Sequence, residues 1–359
     1  MIGTNPKILD GLRVIELASI LAGPSVGTFL AEQGAHVTKI ENPRTGGDPT
    51  RNWKTTAEDP TSTISAYYCS VNWGKESLKI DLKDPSGHNQ LISLLESADV
   101  LIHNFKGGDD VKLQLDYASL KSRFPKLIVG HISGYEISDT RPAFDLAIQA
   151  ESGLLSINGT KESVPIKMPI AFVDILAAHQ LKEAILLSLI NRGISSKGCY
   201  IHVSLFDAAV SCLTNIANNV LMGGMDPGLS SNLHANIAPY GEMLVSSDGH
   251  SIVLAVGTDH QFAELCSILG ADEQFQNKFS TNLARLSERK YLGDELLRLS
   301  SKKTLSELET ALVEHKVPFG RIKSVKHVLG QLPENYFLNQ DIEGHPTKRI
   351  RSAVFSISS

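Results

Sequence analysis

From Gly11 the chain reads "GLRVIEL", "GPSVGTFLAEQGA" and "HVTKIE": a short β-branched stretch, a stretch with apolar residues every three to four positions, and an alternating stretch. That succession predicts strand, helix, strand. Two strands joined through a helix lie parallel, and a parallel sheet must be covered on both faces. The chain is therefore committed to an α/β layer architecture. A helix in "PSGHNQLISLLESA", a strand in "DVLIHNF", a helix around "DYASLKSRF" and a strand in "KLIVGHIS" continue the alternation. A Rossmann-like open parallel sheet is expected over the first half.

Beyond it, "ILAAHQLKEAILLSLINRG" predicts a long, mostly buried helix with Leu181, Ile185 and Leu189 on one face and Gly193 as its C-terminal stop. "YIHVSLF" predicts a strand and "DAAVSCLTNIANNVLMGG" one further helix. From about Ser230 the pattern changes. "GEMLVSSDGHSIVLAV" predicts a hairpin turning at Asp248-Gly249, followed by a helix in "DHQFAELCSILG" and a charged helical zone from about Gln274 to His315. A smaller α+β domain is expected there, and 359 residues suffice for two domains.

With 34 basic and 39 acidic residues and no Lys/Arg tract, the chain is not expected to bind nucleic acid or an anionic membrane. The start, "MIGTNPKILDG", lacks the apolar core of a signal peptide, and no apolar run is long enough to span a bilayer, so a cytoplasmic location is expected. Cys69, Cys199, Cys212 and Cys266 have no C-x-x-C spacing and are expected to be buried reduced thiols.

The first strand-helix turn tests a dinucleotide reading and fails it: Gly23 and Gly27 do not make G-x-G-x-x-G, so neither nicotinamide nor flavin is expected. Free N–H groups at a helix start near Gly23 still suit an anion. No histidine pair has the i, i+4 spacing of a helical zinc site with a nearby acid, so no metal is expected, and no G-x-S-x-G elbow is present.

Asp174 stands in the apolar run "PIAFVDILAAHQ". It directly precedes the long helix and reads as its N-cap, although position 177 has no Glu or Gln to complete a capping box. Equally, a carboxylate with a reference pKa of about 3.9 is ionised at neutral pH and attacks an activated acyl group without a general base. Phe172, Val173, Ile175 and Leu176 would keep water from the anhydride so formed.

Several ordered segments carry a resemblance. "GLRVIELASILAGPSVGTFLAEQGAHVTKIENPRTGGDPTR", "VNWGKESLKIDLKDPSG", "ADVLIHNFKGG", "SGYEISDTRPAFDLAIQAESGLLSINGT" and "KGCYIHVSLFDA" are similar to the family III CoA-transferases of the formyl-CoA and carnitine CoA-transferase (CaiB/BaiF) type. "APYGEMLVSSDGHSIVLAVG" and "VPFGRIKSV" continue the likeness more weakly. The resemblance implies an acyl-CoA donor, a carboxylic acid acceptor, no metal or redox cofactor, and catalysis by Asp174 through an aspartyl-acyl anhydride and an aspartyl-CoA thioester. It also implies an interlocked homodimer with a Rossmann-like large domain over residues 1–205, completed by 325–359. The small α+β domain would span 225–310, and linkers 206–224 and 311–324.

The same superfamily includes α-methylacyl-CoA racemases, whose matching aspartate works with the histidine of a His-Asp pair. Here Phe144-Asp145 stands in that place, and Phe carries no proton, which favours transfer. Non-catalytic acyl-CoA binding, with Asp174 only a cap, is the third reading. For coenzyme A the resemblance implies Ala22 and Gly23 at a helix start, Lys83 and Lys112 near phosphates, and Asn104 with Phe105 by the adenine. Phe144 and Asp145 join them; Asp145 either orients the acyl group or the acceptor, or holds a loop. Leu21, Asn42 and Ala178 depart from the family pattern, where Gln, Arg and Gly occur in some members. These departures put oxalate or formate as substrates in doubt.

Overall fold

The computed structural model describes residues 7–160 and 162–357. It divides into two compact units. The first comprises the chain up to Leu155, Lys167–Thr214 and the chain from Pro333 on; the second comprises Ser156–Ile166 and Asn215–Leu332.

In the first unit β1 (Arg13–Glu16), α1 (Ala22–Glu32) and β2 (His36–Glu41) form the expected βαβ unit. They are followed by α2 (Ala66–Val71), β3 (Lys75–Lys79), α3 (Pro85–Leu95), β4 (Val100–His103), α4 (Asp109–Lys112), α5 (Tyr117–Arg123) and β5 (Ile128–Ser133). Then come α6 (Asp145–Glu151), α7 (Leu154–Ile157), whose last two residues count with the second unit, α8 (Phe172–Ser195), β6 (Tyr200–Ser204) and α9 (Leu205–Ser211). The six strands make one parallel sheet in the order β3-β2-β1-β4-β5-β6. The order reverses beside β1, and such switch points open a ligand crevice outside the carboxyl ends of the strands.

Both faces are covered. Val26 and Leu30 of α1 and Leu181 and Ile185 of α8 pack on one, and Leu91 and Leu95 of α3 and Leu120 of α5 on the other. Gly23 lets α1 approach the end of β1: a Cβ there would lie 2.3 Å from that of Ala18.

The second unit holds α10 (Thr214–Gly223), β7 (Tyr240–Val245), β8 (Ser251–Ala255), α11 (Asp259–Leu269), α12 (Glu273–Lys278), α13 (Asn282–Ser287), α14 (Arg289–Ser300), α15 (Leu305–Glu314), β9 (Phe319–Arg321) and α16 (Val325–Gln331). β7 and β8 are antiparallel, with Gly249 in the turn at φ 80°, and β9 pairs with β8. The chain then forms the hairpin β10 (Phe337–Ile342) and β11 (His345–Ile350) of the first unit.

Four expectations are corrected. Gly193 does not stop α8; the helix continues to Ser195 and ends where Ser196 turns left-handed at φ 56°. Nor is α8 buried to its end, because Leu187, Ile190 and Ile194 are exposed. The single helix expected after β6 is two, broken between Ser211 and Thr214, whose φ is 37°. All four thiols are free, with Cys69 and Cys266 buried and Cys199 and Cys212 only half-buried.

Candidate active site

α8 begins at Phe172, so Asp174 is its third residue and not its cap; Ala171 holds the cap position and offers no side-chain acceptor. The cap comes from another helix. Asp145, the first residue of α6, accepts the Val173 N–H at 2.7 Å through Oδ1, and Gln149 Nε2 holds its Oδ2 at 2.5 Å. Asp145 therefore anchors the start of α8 one residue from Asp174.

Asp174 is left with its carboxylate buried, 9% exposed, and without a hydrogen bond or ion pair among the described residues. Burial, and then the negative charge of Asp145, push its pKa up to about 7. The N-terminal dipole of α8 opposes this shift. The expectation of a fully ionised carboxylate at neutral pH is thus corrected: the folded chain holds Asp174 near its midpoint. Tyr67, which the sequence did not single out, shares the field. Its hydroxyl is pushed up to about 12 by burial and by Asp174, Asp145 and Asp48, and its ring meets Trp53 edge-on at 5.2 Å.

The turn from β1 to α1 is held by groups from the loops that follow β4 and β2. Asn104 accepts the Ser19 N–H at 3.1 Å and donates to the Ser19 carbonyl at 3.0 Å. Ile20, left-handed at φ 75°, donates its N–H to Asp48 at 3.2 Å. Beneath lies a buried charge cluster: Lys39 meets Glu16 at 3.1 Å and Asp48 at 3.0 Å, and Lys75 meets Glu16 at 2.8 Å. Burial opposes the Lys39 charge, but Glu16 and Asp48 more than offset it and hold its pKa above the usual value. Lys75 also donates to the carbonyls of Pro24 and Val71, fixing the first turn of α1.

Three cavities surround these elements. One of about 300 Å³ lies at the carboxyl ends of β1 to β3 and is lined by Ser19, Lys39, Asp48, Lys83 and Phe105. A neighbouring one of about 760 Å³ shares Lys83 and Phe105 and adds Lys112. Lys83, Phe105 and Lys112 are thus brought together, although Lys112 is exposed and paired with Asp109 at 2.7 Å. Ala22 and Gly23 are buried at the uncapped start of α1, and Asn104 is committed to Ser19. Phe144, 56% exposed, precedes α6 and lines neither cavity. The third cavity, about 720 Å³, runs along α8 past Ile175, Ala178 and Lys182 and also touches Leu21; Asp174 is not part of its lining. Asn42 caps a short turn by accepting from Arg44 N–H.

Among the described residues no group of three or more His, Cys, Asp or Glu could hold a metal ion, and no helix is long and apolar enough to cross a membrane.

The family model described as "CoA-transferase family III" matches residues 9–352. A succinate–glutarate CoA-transferase of Agrobacterium fabrum is 38% identical over 89% of this chain and 81% of its own. The human succinyl-CoA:glutarate CoA-transferase is 32% identical over 91% and 74%. The crystal structure of a CaiB/BaiF family protein from Brucella suis, 36% identical, superposes with a TM-score of 0.80 over 98% of this chain and 93% of that one. With a buried, unpaired carboxylate at the head of its longest helix and a crevice at the sheet's switch point, the chain belongs to CoA-transferase family III.

Proposed function

We propose that this CoA-transferase moves coenzyme A between two carboxylic acids through covalent intermediates on Asp174, with dicarboxylic acids, named for two relatives, as the substrate class. The Asp174 carboxylate attacks the donor thioester carbonyl; the C–S bond breaks, and CoA thiolate leaves behind an aspartyl-acyl anhydride. The thiolate attacks the aspartyl carbonyl, releasing the donor acid and forming an aspartyl-CoA thioester. The acceptor carboxylate then displaces the thiolate, and the thiolate attacks the acceptor's carbonyl in the new anhydride, freeing acyl-CoA and Asp174. Each half replaces a hard exchange by two easier steps.

One observation carries this reading: Asp174 is buried at the start of α8 with no hydrogen bond among the described residues to occupy its oxygens. Burial excludes the water that would destroy an anhydride. Lys83, Phe105 and Lys112 beside the switch-point cavities suit the phosphates and adenine of coenzyme A. The homodimer belongs to this reading, and the exposed Leu187, Ile190 and Ile194 of α8 are apolar surface for it to cover.

With succinyl-CoA and glutarate as the pair, initial rates should give parallel double-reciprocal lines, since the first product leaves before the second substrate reacts. Intersecting lines would contradict the covalent order. The rate should also follow ionisation of Asp174: kcat/KM for the donor rises with pH and levels off above about 7. Asp145→Asn keeps an oxygen for Val173 but removes the neighbouring charge, so its break should move to lower pH. A profile flat between about pH 5 and 9 would remove Asp174 as the titrating nucleophile.

A further inference from the structure

α8 starts without a cap of its own, since Ala171 at the cap position offers no side-chain acceptor. Residues 168–173, which lead into Asp174, are held instead from α6. Val173 donates its N–H to Asp145 Oδ1 at 2.7 Å, and Met168 donates its N–H to Gln149 Oε1 at 2.9 Å. Gln149 Nε2 in turn donates to Asp145 Oδ2 at 2.5 Å. Asp145 and Gln149 are four apart on α6 and so share a face.

Gln149 is 1% exposed, so its amide finds its partners inside the protein. Those partners fix its orientation. The nitrogen end must meet the carboxylate and the oxygen end the N–H; turned over, acceptor would face acceptor and donor would face donor. One planar group thus ties down both ends of residues 168–173, one directly and one through Asp145. It also keeps the Asp145 charge at the head of α8, where it acts on Asp174. Asp145 of α6 and the Tyr67 hydroxyl of α2 are the titratable groups that act with Asp174; Glu32 of α1 bears on Lys182, and Asp207 of α9 on Ser204.

We propose that Gln149 is a positioning residue for the nucleophile: its amide holds Asp145 and the approach to α8, and through them it fixes the direction of the Asp174 carboxylate and the charge beside it. That Asp174 is a nucleophile rests on the transfer reading above. Gln149 takes no part in the covalent steps.

The test compares the wild-type chain, Gln149→Met and Gln149→Glu with succinyl-CoA and glutarate. Met keeps the length of the side chain and removes both hydrogen bonds. Gln149→Met should lower kcat by about 10- to 100-fold, the cost of a misplaced reacting group, while KM for the donor changes by less than about threefold. Its break in kcat/KM should lie below the wild type's value of about 7, because Asp145 is free to turn its charge to water. Gln149→Glu keeps an acceptor for Met168, but its second oxygen bonds to Asp145 only while the two carboxylates share a proton. Its rate relative to wild type should therefore fall steadily from about pH 5 to about pH 8. Wild-type kcat in Gln149→Met overturns the proposal. So does a lost rate with an unmoved break, which a merely structural amide would give, or a ratio independent of pH in Gln149→Glu. An NMR titration of the Asp174 carboxyl, assigned by its absence from Asp174→Asn, reads the same charge without turnover. A midpoint lowered by Gln149→Met in a protein that transfers no CoA would uphold this inference and end the transfer reading. Transfer by the wild type, with a midpoint indifferent to Gln149, would do the reverse.

Discussion

Asp174→Asn should abolish CoA transfer while making the protein more stable at pH 8. An amide oxygen does not replace a carboxylate as nucleophile, and loss of a covalent nucleophile lowers kcat by at least about 10⁴-fold. Stability moves the other way. The folded chain holds the Asp174 proton up to about pH 7, whereas an unfolded Asp releases it near 3.9. Below the lower value both states are protonated and the side chain is neutral in its effect. Between the two values stability falls as pH rises, and above about 7 the full difference, about 4 kcal/mol for three pKa units, burdens the native state. Asn carries no charge to bury. The gain should therefore be large at pH 8 and absent near pH 4, read from urea denaturation at both. A variant no more stable at pH 8 than at pH 4, relative to wild type, would mean that Asp174 is not desolvated.

Glu16→Gln should cost about 3–5 kcal/mol, the range for breaking a buried ion pair. Glu16 is fully buried and accepts from Lys39 at 3.1 Å and from Lys75 at 2.9 and 2.8 Å; both lysine side chains are only 1% exposed. Removing its charge leaves Lys39 with Asp48 as its near counter-ion and takes from Lys75, whose pKa burial already lowers to about 7, the carboxylate that holds its proton. The double variant Glu16→Leu with Lys75→Met should recover much of the loss, because an apolar pair of similar volume replaces the ions. Activity should suffer as well. Asp48 and Lys75 from this cluster hold Ile20 and Pro24 at the β1–α1 turn, so KM for the CoA donor should rise more than kcat falls. A loss below about 1 kcal/mol would show that water reaches the cluster.

Periodicity alone located β1, α1, β2, α3, β4, α5 and β5, because central parallel strands such as Val100–His103 are buried along their whole length and read as unbroken apolar runs. The edge strand β3, "KESLK", mixes half-buried and exposed positions and carries no such run, so only the family likeness marked its segment. Boundaries failed where one left-handed residue decided them: Ser196 after α8 and Thr214 at the start of α10 are not glycine, and turn propensity pointed instead to Gly193. Asp174 was singled out by its apolar neighbours, but its protonation was not legible. That depends on a cap supplied across the fold by Asp145 and on burial, neither of which is local in the chain.

The most direct measurement is the intact mass of the chain after mixing with succinyl-CoA or glutaryl-CoA and no acceptor acid. The account predicts a gain equal to coenzyme A less one water, mapping to the peptide that contains Asp174, removed by hydroxylamine and absent from Asp174→Asn. A wild-type chain that exchanges CoA between succinate and glutarate with no such adduct, or with an equal adduct in the Asn variant, would contradict it.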